Sequence, residues 1–245
     1  MDKAKEYIEL INSKINRLLE LSVQGIHQAA QVLADTLQNN KTVYVFGTGH
    51  SHMFAEELFY RAGGLAAIHP ILETPLMLHD SASSSTKMER MQGYASIIAE
   101  KYGFSAGDLI LIASNSGRNG VCIELALEAK KLGLTVLVLT NMKQAENSTS
   151  RHLSGKLLHQ CADLVLDNLG DPGDAAISIE GLSSKISPTS TVMGSIILNA
   201  VVAQAVQIMI NNGYIPEVFR SSNLDDGDKI NEKYIEKYKK EIHSL

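Results

Sequence analysis

Thr42-Val43-Tyr44-Val45-Phe46, followed at once by Gly47-Thr48-Gly49-His50-Ser51, is the stretch from which the architecture can be read. The first five residues are apolar, aromatic or β-branched and show no period-two alternation. That is the texture of a strand buried on both faces, as found in parallel sheets covered by helices. The glycine-rich run closes the strand, and residues to about Arg61 read as helix. The unit is strand, glycine loop, helix.

The unit recurs downstream. Asp108–Ala113 is a second buried run, Ser114-Asn115-Ser116-Gly117-Arg118-Asn119 a small polar loop, and Val121–Lys131 a helix with Ile123, Ala126 and Leu127 on one face. Leu134–Leu139 reads as another strand, and Leu65–Ile68 and Leu164–Leu166 are shorter candidates. About five strands separated by helices predict an α/β, doubly wound sheet of parallel strands with helices on both faces. Before it, residues 3–39 carry apolar residues at helical spacing, with a joint expected at Gly25 because glycine costs about 1 kcal/mol inside a helix. After it come a long helix near Thr189–Ile210 and an amphipathic helix over 228–242, where Ile230, Tyr234, Tyr238 and Ile242 lie four apart. The expected division is 1–40 as an N-terminal helical extension, 41–213 as the sheet domain and 214–245 as a C-terminal tail and helix.

Composition narrows the function. The chain has 245 residues, 44% hydrophobic and 20% charged, which is ordinary for a globular protein. A net charge of −5 leaves no basic face for nucleic acid and no basic patch for a lipid surface. Apolar stretches such as Ile196–Ile210 are interrupted by Asn199, Gln204 and Gln207, and read as too short and too polar to span a bilayer. Neither nucleic acid nor membrane is expected as a partner. The opening Met-Asp-Lys-Ala-Lys-Glu has no secretory pattern. The only cysteines, Cys122 and Cys161, stand 39 residues apart without a CxxC pair, so no disulfide framework or cysteine zinc site is expected, and the cytoplasm is the expected location.

In an open parallel sheet, ligands bind beyond the carboxyl ends of the strands. Both polar loops belong there, each ahead of a helix whose first turn offers unpaired N–H groups. Glycine lets the backbone approach an anion and Ser or Thr hydroxyls add donors, which suits a phosphate group. Other phosphate chemistries fit less well. No GxxxxGK[ST] run exists for a nucleoside triphosphate. Gly47-Thr48-Gly49-His50-Ser51-His52 has two of the three glycines of a dinucleotide fingerprint, and the acidic residue expected about 20 residues on is replaced by Ile68, His69 and Pro70. Gly49-His50-Ser51-His52-Met53 lacks the closing glycine of a nucleophile elbow.

At these residues the chain resembles the sugar isomerase (SIS) domain proteins. Gly47-Thr48-Gly49-His50-Ser51 looks like their first phosphosugar loop, and Ser114–Asn119 like their SxSGx[TN] loop. Glu180–Thr191, running on to Asn199, is similar to a stretch of the N-acetylmuramic acid 6-phosphate etherases in which a catalytic Glu precedes a Ser/Thr-rich loop and a helix. The resemblance covers roughly residues 40–212. It implies a five-stranded parallel sheet, a homodimer or homotetramer, and aldose–ketose phosphate isomerisation, etherase-type lysis, or non-catalytic sensing of a phosphosugar. Carried over by position, it implies a phosphosugar site made of Gly47, Thr48, Gly49, His50, Ser51, Ser114, Asn115, Ser116, Gly117, Asn119 and Thr189. Phosphoheptose isomerases of the family use a metal set with a His and a Glu one turn apart on the helix after the first loop. Here Glu57-Leu58 matches the Glu-Leu of that pattern, but Met53 stands one turn earlier, and a thioether suits no hard or borderline ion. No metal and no cofactor are expected.

Moving a proton between adjacent carbons of a sugar phosphate needs a carboxylate or imidazole whose pKa burial has moved toward neutrality. Glu180 is the first candidate and Glu57 the second, although Glu57 also has the i,i+4 spacing for an ion pair with Arg61. His50 can donate to a ligand from within the first loop. His79, Asp80, Glu73 and Ser83–Ser85 follow the second strand, and Lys87 and Arg118 offer positive charge.

Overall fold

The computed structural model describes residues 2–245. In chain order its elements are α1 (Lys3–Leu21), α2 (Val23–Gln38), β1 (Val43–Gly47), α3 (Met53–Leu58), β2 (Ile68–Ile71), α4 (Ala82–Met88), α5 (Tyr94–Tyr102), β3 (Leu109–Ala113), α6 (Gly120–Lys131), β4 (Thr135–Thr140), α7 (Met142–Ala145), β5 (Leu164–Asp167), β6 (Ala175–Ile177), β7 (Ile186–Pro188), α8 (Ser190–Asn211) and α9 (Gly227–Tyr238). Five strands form one sheet in the order β2-β1-β3-β4-β5. Every pairing in it is parallel, with Val43 opposite Ile68 on one side and Leu109 on the other. The expected doubly wound sheet is therefore present.

Alternate residues of each strand feed two cores. Val43 and Val45 of β1, Leu109 and Leu111 of β3, and Leu137 and Leu139 of β4 pack with α2, α3 and α8. Tyr44 and Phe46, Ile110 and Ile112, and Val136 and Val138 pack with α5 and α6 on the opposite face. Both faces are dry, so the strands need no polar positions, which is why their sequences do not alternate. In α2 the fully buried Ala29, Ala30 and Ala34 present a small-residue surface beside α8, and Leu33 adds bulk to the same core.

Several expectations are corrected. The joint between the first two helices is Ser22, where the backbone leaves helical geometry, and Gly25 lies inside α2 with the Leu166 side chain 3.6 Å from where a Cβ would be. The strand expected at Leu65–Ile68 starts at Ile68, because Leu65 instead forms an antiparallel bridge with Val218. The last helix ends at Tyr238, and Ile242 is buried beyond it. A small antiparallel hairpin, β6–β7, was not foreseen. The 22-residue α8 is long and apolar enough by length and composition to cross a membrane, contrary to the reading of Ile196–Ile210. In this fold Met193, Ile197, Leu198, Val201, Ala205 and Met209 make it a core helix.

Gly194 sets how closely α8 approaches α3. A Cβ there would collide with the Phe54 ring and come within 3.0 Å of the Leu139 side chain. In an exposed helix, Gly→Ala stabilises by about 1 kcal/mol. Here Gly194→Ala is expected to reverse that sign and destabilise by about 1–3 kcal/mol through overpacking. Urea unfolding checks it, and a variant at least as stable as the parent refutes this packing.

Candidate functional site

Strand order reverses between β1 and β3, and the connections leaving these two strands go to opposite faces of the sheet. After β1 the chain runs into α3, in the first core, and after β3 into α6, in the second. A crevice opens at such a switch point. Here it is a cavity of about 280 Å³ bordered by both polar loops. Thr48, Gly49, His50 and Ser51 come from the first, and Ser114, Asn115, Ser116 and Asn119 from the second. These are eight of the eleven residues expected to hold a phosphosugar.

The remaining three act from behind the surface. Gly47 ends β1, and any side chain there would strike the Ser51 carbonyl as the loop doubles back. Gly117 has a positive φ of 60° and donates its N–H to Ser114 Oγ at 3.3 Å, closing the second loop. Thr189 is fully buried just before α8, and its hydroxyl has no hydrogen-bond partner. Further bonds hold the second loop: Thr140 Oγ1 donates to the Ser114 carbonyl at 2.7 Å and Asn168 Nδ2 to Asn115 Oδ1 at 2.9 Å.

The candidate bases lie elsewhere. Glu180 is exposed in the turn between β6 and β7 and does not border the cavity. The hairpin accounts for this: its base meets the cavity while its strands carry the tip away. Glu57 is on α3, where its carboxylate pairs with Arg61 as the i,i+4 spacing allows and accepts from Asn199 Nδ2 at 2.7 Å. It lines a separate depression on the surface. His69 is buried in β2, and burial pushes its imidazole down to about 4.

Two other carboxylates border the cavity, and neither was anticipated. Glu89, at the end of α4, accepts a hydrogen bond from Thr48 Oγ1 at 3.0 Å. Burial pushes its carboxyl above the ordinary value of 4.5, against the opposing pull of the Thr48 hydrogen bond, Arg90 and Arg151. Asp174, at the base of the hairpin with a left-handed φ of 66°, accepts from the Thr189 and Ser190 amides at 3.0 and 2.8 Å and from Ser190 Oγ at 2.6 Å. It thus takes up amides of the first turn of α8. Gln144, Gly173 and Ser190 complete the lining. No motif marks Glu89. The one available signal was its place three residues after the Ser81–Thr86 run, at the end of a connection leaving a strand's carboxyl end.

Positive charge gathers beside the second loop. Arg151 Nη1 donates to Asn119 Oδ1 at 2.9 Å, and the Arg151 guanidinium is pushed down by burial and by the nearby Arg118 and Arg90. Arg118 Nε is buried without a partner. Beneath the first loop, Cys122 is fully buried with its sulfur 3.9 Å from Thr48 Oγ1, and burial pushes its thiol up to about 12.

A family model described as SIS domain matches residues 6–141. The chain belongs to the SIS domain family. Among its relatives, a UPF0309 protein of Shouchella clausii is 40% identical over 100% of both chains. Another, of Thermoanaerobacter pseudethanolicus, is 43% identical over 98% of this chain and 99% of the relative. Among solved structures, phosphoheptose isomerase GmhA from Neisseria gonorrhoeae matches with a TM-score of 0.55 and 15% identity, over 84% of this chain and 97% of that one. The Vibrio vulnificus NanR protein, complexed with ManNAc-6P, matches with a TM-score of 0.52 and 15% identity, over 96% of this chain and 69% of that one. At that identity these two structures establish the fold shared within the SIS family.

Because the folded Glu89 carboxyl holds its proton more tightly than the unfolded one, the folded state loses relative stability as pH rises from about 4.5 through the raised value. Glu89→Gln is expected to flatten the stability profile over that interval. Urea unfolding at a series of pH values measures it, and an unchanged profile shows that Glu89 does not titrate in this way.

Proposed function

We propose that this SIS domain protein binds a phosphorylated sugar in the cavity between its two loops and acts on it as an isomerase or lyase of an aldose or amino-sugar phosphate, with Glu89 as the base. The observation that carries this reading is the meeting, at one cavity, of both hydroxyl-bearing loops and a carboxyl whose proton affinity burial raises. Ser51, Ser114 and Ser116 with the loop glycines would take the phosphate. Arg151 and Arg118 would offset its charge in an otherwise acidic chain. Two free, buried cysteines suit the reducing cytoplasm, where the protein would work as a homodimer or homotetramer.

In such a site Glu89 would remove the proton from the carbon beside the substrate carbonyl. The C–H electron pair would form an enediolate with its charge on the former carbonyl oxygen, the proton of the adjacent hydroxyl would pass to that oxygen, and the protonated carboxyl would deliver its proton to the former carbonyl carbon. A carboxyl pushed above its ordinary range is matched to this exchange. Asp174, already accepting three hydrogen bonds, is better suited to orienting sugar hydroxyls than to taking a proton. The second reading is a non-catalytic sensor that binds the same class of ligand. NanR, solved with ManNAc-6P, favours it, as that match spans 96% of this chain.

Calorimetry with a panel of aldose and amino-sugar 6-phosphates tests binding. A phosphosugar is expected to bind at least tenfold more tightly than its unphosphorylated sugar, and Ser116→Ala to weaken it by about 1.5 kcal/mol, the worth of a charge-assisted hydrogen bond. Equal affinity for the two sugars refutes the assignment. Deuterium uptake from solvent next to the carbonyl separates the readings: an enzyme exchanges, and Glu89→Gln slows it by about 10²–10⁴. Binding without exchange leaves the sensor.

A further inference from the structure

One cluster of ligating groups lies apart from the cavity. His52 ends the short 3-10 turn Gly49–His52 that leads into α3, Glu56 stands one turn further on, and His79 comes from the turn at 78–80 before α4. His52 Nε2 is 3.1 Å from His79 Nε2 and 3.6 Å from Glu56 Oε1, and His79 Nε2 is 3.3 Å from the same oxygen. None of the three borders the cavity between the loops.

Three ligating atoms converge in this cluster, and a single proton serves them poorly. His52 Nδ1 bonds the Gly49 carbonyl, which can only accept, so the proton is on Nδ1 and Nε2 presents a lone pair when the ring carries one proton. Glu56 Oε1 also presents lone pairs. A single proton on His79 Nε2 reaches both acceptors only as a weaker, bifurcated bond. An ion at the centre satisfies all three atoms together. The distances agree with this. Ligand atoms about 2.0–2.2 Å from a tetrahedral ion stand about 3.3–3.6 Å from one another, close to the three separations found. The Nδ1–H bond to a backbone carbonyl is also the outer contact that orients metal-bound histidines.

We propose that His52, Glu56 and His79 hold a divalent ion of the zinc class. Two imidazoles and one carboxylate select a borderline transition ion over magnesium or calcium. His52 is buried, whereas the side chains of Glu56 and His79 are 43% and 59% exposed, so the fourth position opens to water. This set differs from the one that the family resemblance suggested. The positions of that pattern are Met53 and Glu57, and Glu57 is engaged by Arg61 and Asn199. His52 and Glu56 each stand one residue earlier, which turns them toward His79. The ion would tie the start of α3 to the turn that leads into α4, the helix that Glu89 caps.

The test uses the full chain, free of any affinity tag and stripped with chelator. Cobalt(II) serves as a spectroscopic substitute for zinc, with metal analysis after dialysis. One equivalent per chain and intense visible bands of a tetrahedral ion are expected. His79→Ala and Glu56→Gln, both on exposed side chains, are each expected to weaken cobalt binding at least tenfold, and zinc is expected to raise the thermal midpoint of the parent but not of His79→Ala. The absence of one-equivalent binding overturns the proposal, as does binding that either variant leaves within about twofold of the parent. The readout involves no sugar phosphate, so it stands or falls separately from the proposed function.

Discussion

The divergence of two connections at the reversal of strand order governs this molecule. Because β1 and β3 are neighbours, and the helices that follow them lie on opposite faces of the sheet, their connections leave a gap beyond the strand ends. Each loop must close without covering the other. Gly47 and Gly117 permit the tight closures, and the hydroxyls of Ser51, Ser114 and Ser116 remain at the rim of the gap. The dry cores on both sides make the placement of this gap insensitive to the surface helices, since β1, β3 and β4 are each held by parallel neighbours and by apolar side chains above and below.

What could be read from the amino-acid order follows from the same physics. Val43–Phe46 and Leu109–Ala113 are apolar because both of their faces are covered, so the parallel sheet announces itself in one dimension. The two loops are legible because close backbone approach leaves a glycine and hydroxyl signature. Glu89 and Asp174 were not legible. Glu89 reaches the gap through a long connection after β2, and its partner Thr48 is 41 residues away. Asp174 is placed by a left-handed backbone and by a hairpin whose strands are three residues long. Glu180 adjoins a Ser- and Thr-rich stretch in sequence, but within the chain the hairpin carries it away from the gap.

The two carboxylates at the gap carry different loads. Asp174 receives two amides and a hydroxyl, while Glu89 receives the Thr48 hydroxyl and is desolvated by burial. Under the proposed function, that difference in surroundings would make Asp174 a fixed anchor and Glu89 the carrier of protons.

Beneath the first loop, the sulfur of Cys122 has a further effect. Nucleophilic attack by cysteine requires the thiolate, and a thiol that ionises only near 12 offers almost none at neutral pH. Peroxide or an alkylating reagent that entered the gap would find the floor under Thr48 inert. The protein can therefore keep a sulfur atom as packing beneath a loop that borders the cavity without making that loop vulnerable to oxidative damage.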